Sequence, residues 1–275
     1  MKNTVTSFMA AKGKEKLSMV TAYDFCSARM VQESPVNAIL VGDSLGMVML
    51  GYENTLAVTL EDMLHHCKAV ARACHDPLLV CDMPFLSYHI SVEECVRNAG
   101  RLLSEGGCEA VKLEGGVEFC REIKSLSRAS IPVMGHLGLT PQSVHAFGGF
   151  KVQGKSLAAA QKLLDDARAI QDAGVFSIVL EGIPQALASR ITRELTVPTI
   201  GIGAGAGCDG QVLVWHDMMG MSPQKPKFAR CFVDVGSAFK EALCSYDAAV
   251  KSGEFPSAEY CYKAEQEEEI AASIK

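Results

Sequence analysis

Hydrophobic positions along this chain fall into two recurring patterns. Short apolar runs, rich in branched residues, end in charged side chains. They include Ala38-Ile39-Leu40-Val41 before Gly42-Asp43-Ser44, and Leu78-Leu79-Val80-Cys81 before Asp82. The same pattern returns as Ala110-Val111-Lys112-Leu113-Glu114 and as Ile178-Val179-Leu180-Glu181. Such runs read as strands buried on both faces, as in a parallel sheet. Residues 17–23, 131–136, 198–203 and 211–215 complete a set of eight, with the sixth strand spanning 176–181.

The second pattern has helical spacing. Leu60, Met63, Leu64, Cys67, Val70, Ala71 and Cys74 share one face of a helix opened by Thr59, with Asp62 as its capping-box partner. Ser91 and Glu94 cap a helix that buries Val92, Cys95, Val96, Ala99, Leu102 and Leu103. Gly106-Gly107 ends it as a left-handed cap. Further helices are predicted over 24–33, 117–128 and 156–173, the last stopped by Gly174, and from near Pro184. Residues 137–155 read as a long loop, 1–15 as a short helix or arm, and 236–275 as terminal helices with a solvated acidic run at 265–269. No composition break divides the chain. The expectation is a single-domain (β/α)8, or TIM, barrel over 1–275, a fold of about 250 residues whose active-site groups lie at the strands' C-terminal ends.

Composition narrows the class. The chain has 275 residues, of which 48% are apolar, enough for a full core, and a net charge of −6 that argues against a nucleic-acid surface. No apolar run approaches the roughly 20 residues of a membrane span. Residues 1–16 lack the apolar stretch of a secretory signal. The eleven cysteines are odd in number and form no Cys-x-x-Cys pair. Several, including Cys81, Cys95 and Cys108, fall at apolar positions. They read as small buried hydrophobes in a reducing cytoplasm rather than as disulfides or zinc ligands.

Candidate chemistry sits at the strand ends. Asp43, Asp82 and Glu114, on consecutive strands, would converge at one side of the mouth and can hold Mg²⁺ directly or through water. A single acid there is more simply a helix cap or a partner for Lys112, but three in register favour a site. Glu181 faces them as a general base or a salt-bridge partner. His136 is a substrate-oxygen ligand or a satisfied core histidine. Ser44 offers an N–H and a hydroxyl to an anion, or caps a helix. His65, His66, His75, His89, His145 and His216 show no ligand spacing. Residues 149–156, Gly-Phe-Lys-Val-Gln-Gly-Lys-Ser, match the P-loop pattern. No strand precedes them, so the match reads as accidental. The glycine-rich stretch 201–207 suits a phosphate or a close backbone approach.

Several stretches together carry a resemblance. Val20-Thr21-Ala22-Tyr23-Asp24, Val41-Gly42-Asp43-Ser44-Leu45-Gly46-Met47-Val48, Val58-Thr59-Leu60-Glu61-Asp62-Met63 and Asp82-Met83-Pro84-Phe85 are similar to ketopantoate hydroxymethyltransferases. So are Val111-Lys112-Leu113-Glu114-Gly115-Gly116, Gly135-His136-Leu137-Gly138-Leu139-Thr140-Pro141-Gln142, residues 148–155, Gly201-Ile202-Gly203-Ala204-Gly205 and Asp209-Gly210-Gln211-Val212-Leu213-Val214. The likeness runs in order from about residue 3 to 255 and absorbs the P-loop match.

The resemblance implies a barrel that binds Mg²⁺ and transfers a one-carbon unit from 5,10-methylenetetrahydrofolate to 3-methyl-2-oxobutanoate, giving 2-dehydropantoate on the route to pantothenate. It implies a metal site at Asp43, Asp82 and Glu114. Keto-acid binding falls to Asp43, Ser44, Asp82 and Lys112, with His136 beside them, and Glu181 is the proton acceptor. It implies a cytoplasmic homo-oligomer, often a decamer, with small-molecule substrates and neither nucleic-acid nor membrane partners. In chemical terms, a metal acting as a Lewis acid stabilises the enolate formed when C3 loses its proton. The rivals are a barrel enzyme of the phosphoenolpyruvate mutase/isocitrate lyase type, whose cysteine loop is missing here, and a P-loop nucleotide-binding protein.

Overall fold

Eight strands, all parallel and joined in sequence order, close into a barrel: β1 (Leu17–Thr21), β2 (Ala38–Val41), β3 (Leu78–Asp82), β4 (Ala110–Glu114), β5 (Val133–Gly138), β6 (Ser177–Glu181), β7 (Thr199–Ile202) and β8 (Gly210–Leu213). The last pairs with the first, Leu17 facing Gly210. The computed structural model describes residues 2–223, 225–263 and 266–274.

Side chains alternate across each strand, and this parity makes two cores. Leu40, Leu78, Val80, Ala110, Met134, Val179 and Ile200 point inward and fill the barrel. Ile39, Leu79, Cys81, Val111, Leu113, Ile178 and Leu180 point outward and pack under the helices. Continuing the inward parity in steps of two along the strands reaches Asp82, Lys112 and then Glu114, His136 and Glu181. Strand pairing then sets them side by side: Asp82 opposite Lys112, Glu114 opposite His136, Gly138 opposite Glu181. The reaction layer is thus the top storey of the barrel's own core.

The helices are α1 (Val5–Ala10), α2 (Phe25–Gln32), α3 (Leu45–Val48), α4 (Leu60–Ala71), α5 (Val92–Ser104), α6 (Cys120–Arg128), α7 (Val144–Phe147), α8 (Leu157–Ala173), α9 (Gln185–Glu194), α10 (Trp215–Met218), α11 (Val235–Ser252) and α12 (Glu267–Ser273). Thr59 and Asp62 close the capping box expected at α4. Ser91 caps α5 and Ser156 caps α8. Helix α1 plugs the N-terminal end of the barrel: Phe8 is 1% exposed and meets Phe176 edge to face at 6.0 Å. Burying such a ring contributes about 1.5–3 kcal/mol.

Boundaries differ most from the sequence reading at four places. The fifth strand starts and ends two residues later than 131–136, because its pairing with β6 continues to Gly138. The helix expected over 117–128 begins as a separate 3-10 turn, Val117–Phe119. The loop 137–155 contains a 3-10 turn (Pro141–Ser143) and α7. Trp215, expected in the last strand, starts α10, and its N–H donates to Thr21 Oγ1 at 2.8 Å. At the C-terminal end α11 and α12 are helical and bury no residue. Of the acidic run at 265–269, Glu265 lies outside the described residues, as does Lys275 at the chain's end.

Candidate active site

Five strand ends supply the site. Asp43 follows β2 by two residues, its N–H donating to Asp82 Oδ2 at 3.1 Å. Asp82 ends β3 and its Oδ1 lies 2.9 Å from Lys112 Nζ. Lys112 Nζ is also 3.2 Å from His136 Nδ1. That ring lies between two acids: Nδ1 is 3.4 Å from Glu114 Oε1 and Nε2 is 3.3 Å from Glu181 Oε2. Asp43, Asp82, Lys112, Glu114 and His136 are each at most 4% exposed, and the Glu181 side chain is 15% exposed at the mouth. Every site residue singled out in the sequence is therefore in one connected group, with Ser44 at its edge.

Ser44 precedes α3 but its side chain caps nothing; its hydroxyl meets the Tyr23 hydroxyl at 2.9 Å. The helix-cap reading of Ser44 thus falls. Tyr23 is buried and its ring packs against His216.

Three participants were not apparent in the sequence. Gln142, in the 3-10 turn after β5, reaches across the mouth. Its side-chain amide donates to Asp43 Oδ2 at 2.8 Å and to the Met83 carbonyl at 3.0 Å. Its backbone N–H donates to Glu114 Oε2 at 2.9 Å, and its own Oε1 accepts from the Tyr88 hydroxyl at 2.8 Å. One glutamine thereby ties two acids from different strands. Its only sequence signal was its place at the end of the motif Gly135 to Gln142. Tyr23 likewise had only its place in the motif Val20 to Asp24, and Tyr88 had none.

The electrostatics follow from burial. Desolvation raises the pKa of Asp43 well above the carboxylate range, and the charges of Asp82 and Glu114 push it further. Burial raises Asp82 too, against the pull of Lys112. Glu114 goes the other way: burial opposes ionisation, but His136, Lys112 and the Gln142 N–H lower its pKa. Burial and Lys112 both disfavour a protonated His136, yet Glu114 and Glu181 outweigh them and hold it up to about 9. Burial would lower the pKa of Lys112, and Asp82, Glu114 and Asp43 raise it instead.

Four carboxyl groups thus face two cations, Lys112 and His136, and the crowding of acids that raises Asp43 and Asp82 is what a divalent ion there would relieve. Asp82 Oδ1 is buried with the Lys112 ammonium 2.9 Å away as its partner. A cluster of buried carboxylate oxygens suits a hard cation such as Mg²⁺. Both Glu114 oxygens already face a donor. Among the described residues no three His, Cys, Asp or Glu side chains stand ready as direct ligands. Asp43 and Asp82 are thus the residues whose oxygens could take such an ion, with Glu114 beside them.

The P-loop look-alike does not enter this site. Helix α7, not a strand, lies before residues 149–156, and Ser156 caps α8 by accepting from the Ala159 N–H. In the stretch 201–207, side chains on Gly205 and Gly207 would overlap Gln185 and Ser189 of α9, so close packing explains those glycines.

Fold and site define a (β/α)8 barrel enzyme with an oxygen-rich reaction centre at the C-terminal mouth. The family model of ketopantoate hydroxymethyltransferase matches residues 2–258, and the chain belongs to that family. Among its relatives, the 3-methyl-2-oxobutanoate hydroxymethyltransferase of Clostridium novyi is 57% identical over 97% of this chain and 98% of its own. That of Syntrophomonas wolfei subsp. wolfei is 59% identical over 93% of each. Solved structures share the fold at low identity. A phosphoenolpyruvate phosphomutase from Streptomyces platensis subsp. rosaceus superposes with TM-score 0.62 at 13% identity, covering 91% of this chain and 88% of that one. A phosphonopyruvate hydrolase complexed with oxalate and Mg²⁺ gives 0.62 at 12%, covering 98% and 97%.

Proposed function

We propose that this chain is a Mg²⁺-dependent hydroxymethyltransferase. It adds the one-carbon unit of 5,10-methylenetetrahydrofolate to 3-methyl-2-oxobutanoate and forms 2-dehydropantoate, the first step of pantothenate biosynthesis. The observation that carries this reading is the connected group of Asp43, Asp82, Glu114, Lys112, His136 and Glu181 at the mouth, in which four carboxyl groups face two cations. The relatives' shared name supports the choice of substrates.

Asp43 and Asp82 would hold the ion, with Glu114 beside them. Bound Mg²⁺ supplies Lewis-acid charge to the keto acid's oxygens. Ser44 binds the substrate carboxylate through its N–H and hydroxyl, and Lys112 offsets the substrate's negative charge. Glu181, held by His136 at 3.3 Å, removes the C3 proton. His136 Nε2, 3.3 Å from Glu181 Oε2, serves the substrate's keto oxygen as well. The resulting carbanion attacks the methylene carbon. A C–C bond forms, the bonds from that carbon to the folate nitrogens break, and water supplies the hydroxyl. We further propose a single barrel domain acting in the cytoplasm as a homo-oligomer, with residues 236–275 as an extension used in assembly. No helix among the described residues is long and apolar enough to cross a membrane.

The test is proton NMR of 3-methyl-2-oxobutanoate in D₂O with the protein and either Mg²⁺ or EDTA. Loss of the C3–H signal with Mg²⁺ alone is expected. Glu181→Gln should still bind the keto acid but exchange about 10²–10⁴-fold more slowly. No exchange with Mg²⁺, even after tetrahydrofolate is added, refutes the function; normal exchange by Glu181→Gln refutes the base.

A further inference from the structure

Gln142 has no part in the steps proposed above, although it reaches the ends of β2, β3 and β4 that carry them. Its place is fixed by the turn after β5. Gly138 takes a left-handed φ of 97°, where a side chain would run into the Glu181 carbonyl. The Leu139 N–H then donates to that carbonyl at 2.8 Å, and Pro141 opens the 3-10 turn with its restricted φ. The chain is thereby led back over the mouth, where Gln142 is 6% exposed.

The orientation of its amide is set by what surrounds it. Nε2 faces two acceptors, Asp43 Oδ2 and the Met83 carbonyl, at 2.8 and 3.0 Å. Oε1 faces the Tyr88 hydroxyl at 2.8 Å, so a reversed amide would set its oxygen against both acceptors. Tyr88 is 1% exposed, and its hydroxyl also accepts from the Glu114 N–H at 3.2 Å. The Gln142 N–H on Glu114 Oε2 closes a ring of bonds through Glu114, Tyr88 and Gln142. The amide then carries this ring across to Asp43. Among the described residues no other side chain donates to the Asp43 carboxylate.

Resting on the function proposed above, we infer that Gln142 is a positioning residue of the metal site: its amide holds the Asp43 carboxylate ready for the cation, and the Tyr88 hydroxyl holds the amide. Gln142 acts through Asp43 and touches neither ion nor substrate. Carboxylates that ligate metals are in turn hydrogen-bonded, and losing such a partner costs about 10–100-fold in metal affinity. The physical reason is preorganisation. Without the amide, part of the ion's binding free energy goes into ordering Asp43.

Two variants test this. Gln142→Met keeps the side chain's length and removes its donors, and Tyr88→Phe keeps the ring and removes the hydroxyl. Mn²⁺ is the probe, because it suits the same oxygen ligands as Mg²⁺ and its free form is counted by electron paramagnetic resonance. Gln142→Met should bind Mn²⁺ about 10–100-fold more weakly than wild type, and Tyr88→Phe should weaken it in the same direction by less. With Mn²⁺ saturating each variant, affinity for 3-methyl-2-oxobutanoate should return to within about twofold of wild type. Keto-acid binding that saturating Mn²⁺ does not restore puts Gln142 in the substrate site and overturns the positioning role. Unchanged Mn²⁺ affinity in both variants overturns the inference while leaving the function standing, even if urea unfolding shows the metal-free variants to be less stable. If Gln142→Met does not fold, Tyr88→Phe decides alone, and unchanged affinity there overturns the inference. Wild type that binds no Mn²⁺ refutes the metal-dependent function itself, and the inference with it.

Discussion

At the scale of single residues, the site works by setting buried charges against one another. His136 is the clearest case. Its neighbours include another cation, Lys112, at 3.2 Å, yet the acids on either side keep the ring protonated up to about 9. The sign of the consequence is fixed. A folded-state pKa above the ordinary 6.5 adds stability below that value, and this is lost as pH rises through about 9. Urea unfolding of metal-free protein between pH 6 and 10 should therefore show wild type losing its advantage over His136→Gln across that window. A constant difference would mean that His136 is neutral in the fold. The acids and the histidine were visible in the sequence because each ended an apolar run. Gln142 was not. Its importance lies in hydrogen bonds to Asp43 and Glu114, residues 99 and 28 positions away, and no local pattern encodes those.

Elements were legible where their signals are local. The capping box at α4 is an example: Thr59 and Asp62 exchange backbone-to-side-chain bonds at 2.9 and 3.1 Å. Thr59→Ala should lower stability by about 1 kcal/mol in urea unfolding, with the barrel intact by circular dichroism. No measurable loss would show that tertiary packing alone holds the start of α4. Boundaries failed where a distant partner decides them. Pairing with β6 extends β5 to Gly138, and the hydroxyl of Thr21 draws the Trp215 N–H away from a strand. Such contacts compete with local propensity and win because they satisfy buried backbone groups.

For the whole molecule, the surface of α11 is the feature that the barrel does not use. Phe239, Leu243, Tyr246 and Val250 are each 45–68% exposed and follow one another at helical spacing. An exposed apolar stripe of this kind is the surface that the proposed assembly would cover. Light scattering should return a multiple of the chain mass, about tenfold for the decamer that the family resemblance implies, and Leu243→Glu should lower it. A monomeric wild type would refute the proposed assembly. The sequence alone determined the eight strands, their order, and the acid or histidine at the ends of β2 to β6, because alternation and apolar runs are local consequences of burying a strand on both faces. Only the tertiary structure decided which of those groups touch and that Gln142 ties two of them together. Those facts depend on strand register and loop path, which are set by the closed ring of hydrogen bonds rather than by any one segment.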